Sequence, residues 1–224
     1  MANSTLTKFS LMTAAIGTAW IIGGIPGTAQ AGTIAGSNST PGLFDASSGT
    51  RTITFTGAEA GFDTGIIQDV NVSINFARWN DPTSSRGPYF NEMVFRLISP
   101  TGTTVSLIEP NSFNLGRRGT QFSGRITFDD ATTDVVNVNR NLPQAGVFRP
   151  VSPLSVLNGE NAAGTWTLFI EDTLAWNALQ FRDVELNIQT QPVPTPALLP
   201  GLIGLGLGIW RKRKAETAAS ANET

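Results

Sequence analysis

The chain has 224 residues, a formal net charge of −2, and neither cysteine nor histidine. Without cysteine there are no disulfides, thiolate nucleophiles or cysteine-bound metals; without histidine there is no Ser-His-Asp or Cys-His catalysis and no imidazole ligation of zinc, copper or iron. Residues 32–191 hold ten arginines, no lysine and fifteen acidic residues, a negative balance of about −5 that excludes a nucleic-acid-binding surface.

At the N-terminus, Lys8 precedes an apolar run that gives way to Pro26, Gly27 and Ala29-Gln30-Ala31. Small residues at Ala29 and Ala31 fit the signal-peptidase pattern, so residues 1–31 read as a signal peptide carrying a short helix; an uncleaved anchor is the alternative. Residues 32–49, rich in Gly, Ser, Thr and Asn, read as a flexible lead-in.

From 50 to 190 the sequence alternates with period two. "DVNVSINF" puts Val70, Val72, Ile74 and Phe76 on one face and Asn71, Ser73 and Asn75 on the other, as a half-buried strand does. "RTITFT", "EMVFRLIS", "TTVSLIE", "GTWTLFIE" and "FRDVELNIQ" read as further strands, with Trp166, Leu168 and Ile170 aimed at a core. Turn signals such as Pro100-Thr101-Gly102 and Asn158-Gly159 separate them, and no segment here has a helical period. The pattern predicts an all-β sandwich of jelly-roll type built as one domain.

Residues 191–214 change character. Pro192, Pro194 and Pro196 make a stiff tether. Ala197–Trp210 is uncharged and as a helix would reach roughly 21 Å, short against the ~30 Å hydrocarbon layer. Thr195 can cap that helix, Pro196 suits its first turn, and Arg211, Lys212, Arg213 and Lys214 can snorkel on the cytoplasmic side, so a C-terminal membrane helix is expected. Residues 215–224 read as a disordered tail.

Two resemblances follow from these residues. "FRLISPTGTTVSLIEP", "ITFDDATTD", "FRPVSPLSVLNGENAAGTWTLFIEDT" and "FRDVELNI" resemble the P domain that follows the catalytic domain of subtilisin-like proprotein convertases. The strongest elements are Pro153-Leu154-Ser155, Asn158-Gly159 and Gly164-Thr165-Trp166-Thr167-Leu168, in order and at the family's spacing. The resemblance implies a jelly-roll sandwich that packs on a protease and stabilises it, with the catalytic residues elsewhere. Trp176, Asn177 and Leu179 stand where the family usually has a Gly/Asp-rich turn, and Val184 where it has a Trp. The tail "VPTPALLPGLIGLGLGIWRKRK" is similar to a PEP-CTERM sorting signal in its Pro194-Thr195-Pro196-Ala197 variant. This implies handling by an exosortase, delivery to the cell surface or exopolysaccharide matrix, and a membrane anchor that is transient or permanent.

Candidate chemistry is sparse. Ser123, Ser152 and Ser155 have no histidine to activate them. Glu171 and Asp172 are adjacent on a strand, point to opposite faces, and read as a solvated strand end. Asp129, Asp130 and Asp134 offer hard oxygens suited to calcium, or else form an Asp-rich turn capping its own backbone. Trp79 and Tyr89 flank a polar loop and are candidates for stacking on sugar rings, or for closing the end of the core. Two functions are therefore expected: an exported, non-catalytic surface or matrix module with structural or adhesive work, or a companion that stabilises a subtilisin-like protease.

Overall fold

The computed structural model describes residues 32–56, 65–79, 87–113, 120–136 and 142–191. Ten strands lie among them: β1 (Gly32–Asn38), β2 (Gly42–Phe44), β3 (Ser47–Phe55), β4 (Ile67–Arg78), β5 (Met93–Ile98), β6 (Thr104–Ile108), β7 (Phe122–Phe128), β8 (Gly146–Phe148), β9 (Gly164–Asp172) and β10 (Leu179–Thr190). One sheet runs β1-β10-β4-β7-β8, with β2 also paired to the start of β10; the other runs β3-β9-β5-β6. Neighbours are antiparallel except β7 and β8. The expected all-β jelly-roll sandwich is what the chain forms, and the helical segments among the described residues are short 3-10 turns at Phe90–Glu92 and Leu154–Leu157.

The alternation in the sequence does the folding work. Val70, Val72, Ile74 and Phe76 of β4 turn inward and meet Phe95 and Leu97 of β5 and Trp166, Leu168 and Ile170 of β9, all buried. Phe76 sits between two rings, its centroid 5.3 Å from that of Phe95 and 4.8 Å from that of Phe122. Each such side chain taken fully from water stabilises the fold by roughly 1.5–3 kcal/mol. Trp166 also satisfies its indole, which donates to the Ala162 carbonyl at 2.9 Å.

On β10, Phe181 and Val184 have opposite parity yet both are buried. A bulge at Arg182 reconciles them, because the pairing with β4 slips by one residue between Phe181 and Asp183. The outer face beyond the bulge is polar: Asn75 donates to Asp183 at 2.9 Å, and Arg125 reaches Asp183 at 2.5 Å and Glu185 at 3.2 Å.

Residues 32–49, expected as a flexible lead-in, instead form β1, β2 and the start of β3. Their small polar side chains hide the strand pattern, but β1 covers the free edge of β10, pairing Gly32 with Thr190 through to Asn38 with Val184. Arg51 then ties the crossover between the sheets. It donates to the carbonyls of Thr40 (2.5 Å), Pro41 (2.6 Å) and Thr50 (2.8 Å) and lies over the rings of Phe44 and Phe181. The expected signal peptide, with Ala29 and Ala31, and the tail from Pro194 to Lys214 lie outside the described residues.

Candidate functional site: the loop end of the sandwich

Strands β4, β9 and β10 fix two opposite ends. At one, Gly32, Ile67 and Thr190 lie side by side; at the other, Phe44, Arg78 and Leu179 do. The second end gathers the unusual features of the molecule.

Continuing the inward parity of β4 past Phe76 leads to Arg78, and continuing that of β9 past Ile170 leads to Asp172. Both are charged and both have no exposed surface. Glu92, at the close of the Phe90–Glu92 turn, joins them, also buried. Arg78 Nη2 contacts Glu92 Oε1 and lies 3.0 Å from Asp172 Oδ2 and 3.2 Å from Oδ1, while Arg78 Nε and Nη1 have no hydrogen-bond partner. Asp172 Oδ2 likewise has no hydrogen-bond partner, although it lies within ion-pair distance of Arg78. Burial pushes the Glu92 carboxyl up to about 8 against the pull of Arg78, and the neighbouring Asp172 adds to the rise. Asp172 is raised less, to about 6, by burial opposed by Arg78 and, less strongly, by nearby backbone amides. Burial thus favours the protonated form of Glu92 more than that of Asp172, beside a guanidinium they share. Asp172 is therefore not a solvated strand end; only Glu171, on the opposite face, is partly exposed.

The turns above this cluster are strained and apolar. Among the described residues all four non-glycine positions with positive φ are here: Ala46 (45°), Asn111 (69°), Trp176 (82°) and Asn177 (65°). Such conformations cost free energy and persist where surrounding contacts impose them. Ala46 N–H donates to the Leu174 carbonyl at 3.1 Å, Asn111 N–H to Asn91 at 2.8 Å, Thr173 N–H to Glu92 at 3.1 Å, and Asn177 Nδ2 to the Gly87 carbonyl at 3.4 Å. Four large apolar side chains stand out from the same end: Leu43 at 69% exposure, Trp176 at 67%, Leu174 at 60% and Trp79 at 44%. Trp79 is held on the sheet by its indole N–H, which donates to Gln180 Oε1 at 3.3 Å. Tyr89, the other sugar-contact candidate, is half-buried beside the Phe90–Glu92 turn.

The expected calcium ligands lie elsewhere and are differently employed. Both oxygens of Asp130 accept backbone amides, from Leu154 (3.1 Å) and Ser155 (2.8 Å), and so cap the Leu154–Leu157 turn. Asp129 Oδ1 accepts the Ala131 amide at 2.7 Å, and Asp134 engages Arg149 through its backbone carbonyl. Among the described residues no group of three or more acidic, histidine or cysteine side chains is placed to hold a metal ion. The carboxylate that Asp129 and Asp130 do face is Asp69, raised by its own burial and then by their charges. Ser123 lies on β7 and Ser155 in the capped turn. A groove of about 480 Å³ follows the seam of β1 and β3, lined by residues such as Thr33, Gly36, Thr52 and Thr54 with no titratable group among them.

Two antiparallel-dominated sheets in this order define a jelly-roll sandwich. Within it, residues 83–188, a little under half of the chain, match the family model of the proprotein convertase P-domain. The Pro153–Leu168 signature is thereby explained: Leu154 and Leu157 are buried, Asp130 caps their turn, and Gly159 N–H donates to Ile67 at 2.9 Å. Strands β1 to β4 precede the matched segment. No curated protein matches the chain. Among solved structures it is similar to a serine protease of Aeromonas sobria (12% identity, TM-score 0.41, covering 72% of this chain and 27% of that one). It is similar also to the Aeromonas sobria serine protease in complex with its chaperone (13%, 0.40, 73% and 28%) and to FlhE (11%, 0.36, 72% and 97%). The chain thus spans about a quarter of the length of the protease chains it resembles.

Proposed function

We propose that the chain is an exported, non-catalytic P-domain module that acts as a companion of a subtilisin-like serine protease, docking through the loop end that carries Leu43, Trp79, Leu174 and Trp176. The observation that carries this reading is the proprotein convertase P-domain match over 83–188. An apolar, tryptophan-bearing end on a chain that has no histidine to build a Ser-His-Asp site supports it. The test is cross-linking of the full chain in its native envelope, with partners labelled by a serine-directed fluorophosphonate. A labelled protease should be captured by the wild type and lost with the double change Leu174→Ser and Trp176→Ser. Capture of partners that never take the label would overturn the reading. The purified chain itself should hydrolyse no peptide substrate.

A second reading is a surface or matrix module, in which Trp79 stacks on exopolysaccharide and exosortase-type machinery handles the tail at Pro194–Ala197 and Arg211–Lys214. The Trp79 ring, partly exposed and held by Gln180, favours it. Quenching of tryptophan fluorescence by the cell's own polysaccharide, abolished by Trp79→Ala, would support it over docking to a protease. Intact mass with cell fractionation tests the export half of both readings: loss of residues 1–31 and recovery outside the inner membrane are expected. A chain that keeps both ends in the cytoplasm would refute it.

A further inference from the structure

A sheet edge exposes a row of unpaired N–H and C=O groups, and proteins normally cover, shorten or charge it. Among the described residues this chain does so at each of its edges but one. Beside β6, the amides of Val151 and Ser152 donate to the carbonyls of Leu107 (3.3 Å) and Ser106 (2.9 Å). β2 and β8 are three residues long, and Val135 bridges to Arg149 just beyond β8. On β3, the Thr50 carbonyl accepts from the Arg51 guanidinium at 2.8 Å and the Thr52 carbonyl from Asn38 Nδ2 at 2.8 Å. β1 is different. Its seven residues, GTIAGSN, pair with β10 in unbroken register, carry no charge, proline or bulge, and have no strand on their outer side among the described residues.

The open edge also borders a groove. β1 and β3 are edge strands of different sheets that lie side by side, yet no ladder joins them. Asn38 on Thr52, and Arg51 on Thr40 and Pro41, tie the seam at one end. The rest is the cleft of about 480 Å³, in which half-buried Ile34 and buried Ile53 and Phe55 alternate with exposed Thr33, Ser37, Thr52 and Thr54. We propose that β1 is a receptor edge: an extended, uncharged segment of a partner protein adds to it as a further strand and closes the seam against β3. The chemistry selects this occupant. A row of N–H and C=O groups repeating at about 3.4 Å per residue is matched by another main chain. A lining without a titratable side chain offers nothing to hold an ion or a charged headgroup, and a charged side chain buried there would go uncompensated. Alternation then sets the pattern: added residues on the inner face meet Ile34, Ile53 and Phe55 and are apolar, while those on the outer face lie beside Thr33, Ala35 and Ser37 and are small or polar. Since β1 runs along β10 from Val184 to Thr190, away from the Phe44–Leu179 end, this docking does not depend on what binds at the loop end.

The probe is a displayed library of random linear peptides long enough to span β1, and the bait is the full chain in detergent. Enriched peptides should be uncharged and alternate apolar with small or polar residues. At about ten times its dissociation constant, the best of them should slow exchange of the outward-facing amides within 32–38 by about tenfold. The 173–178 turn should be unaffected. Two methylated forms of that peptide, each blocking every second backbone nitrogen, should differ: one should lose binding and the other keep it, because only alternate amides of an added strand reach the edge. Charging the edge by Ala35→Lys with Ser37→Lys, both at exposed positions, should abolish binding as well. The exchange and methylation measurements use the wild type, so they decide even if the charged variant does not fold. No enriched peptide, protection that falls outside 32–38, or equal loss from the two methylation patterns overturns the proposal. So does protection of 32–38 that grows with protein concentration in the absence of peptide, which would give the edge to a second copy of the chain.

Discussion

Arg78 has no exposed surface and offers more N–H donors than its surroundings accept, so its worth lies in charge: it is the cation that lets Asp172 remain ionised inside the fold. Removing one member of a buried ionic group strands the others, which costs about 3–5 kcal/mol. Arg78→Met should lower stability to denaturant by that order, whereas Arg78→Met combined with Asp172→Asn and Glu92→Gln should recover part of it; equal stability of the single and triple variants would refute this account. Stability should also depend on pH with a defined sign. Glu92 binds its proton more tightly folded than unfolded, so the native state holds an extra proton between 4.5 and about 8, and stability falls as pH rises through that window. Asp172, raised to about 6, contributes in the same direction. Glu109 acts oppositely at the acid end, since its hydrogen bonds from Arg96 hold it below the usual range and that contribution is lost as pH falls. The melting temperature should therefore peak at mildly acidic pH, and in Glu92→Gln the alkaline decline should flatten. Asp130 is simpler: Asp130→Ala frees two amides of a capped turn and should cost about 0.5–2 kcal/mol by denaturant titration.

At the scale of elements, β4 and β10 carry the sandwich, and both were legible from alternation, which runs through Val70, Val72, Ile74 and Phe76 in β4 and, beyond the bulge, through Val184, Leu186 and Ile188 in β10. The loop end was less legible. Parity in fact runs on to Arg78 and to Asp172, but a charged residue at the end of an alternating run looks like a strand reaching solvent, and only the tertiary meeting with Glu92, distant in sequence, reveals a buried cluster. Strand β1 was illegible for another reason. "GTIAGSN" has one large apolar residue, Ile34, and its strand state follows from the free edge of β10 more than from its own propensity. It is nonetheless closely fitted. A Cβ on Gly36 would come within 2.6 Å of Ile53 Cγ2 and 2.8 Å of the Phe55 ring, side chains that are themselves buried. Gly36→Val should therefore loosen β1 and expose the edge of β10, seen as faster amide exchange at 184–188 with the β5–β9 pair unaffected. Unchanged exchange there would mean that the β1–β3 seam yields without cost.

For the whole molecule the decisive relation is between the two ends. β1 enters at Gly32 beside Thr190, where β10 leaves, so the segments that lead to the proposed signal peptide and sorting tail both depart from the end opposite Leu43, Leu174 and Trp176. A twelve-residue strand spans roughly 36–40 Å. The apolar end at Leu43, Leu174 and Trp176 therefore lies a strand's length from the end where β1 enters and β10 leaves. The absence of native cysteine makes this orientation measurable. Leu43→Cys and Gln189→Cys each introduce one exposed thiol, at opposite ends of β10. In spheroplasts a bulky, membrane-impermeant maleimide should react several-fold faster with Leu43→Cys than with Gln189→Cys, and the difference should vanish once the domain is cut free at the tether. Equal rates before and after release would mean that the domain tumbles on its tail, and that the separation of the two ends places nothing at the cell surface.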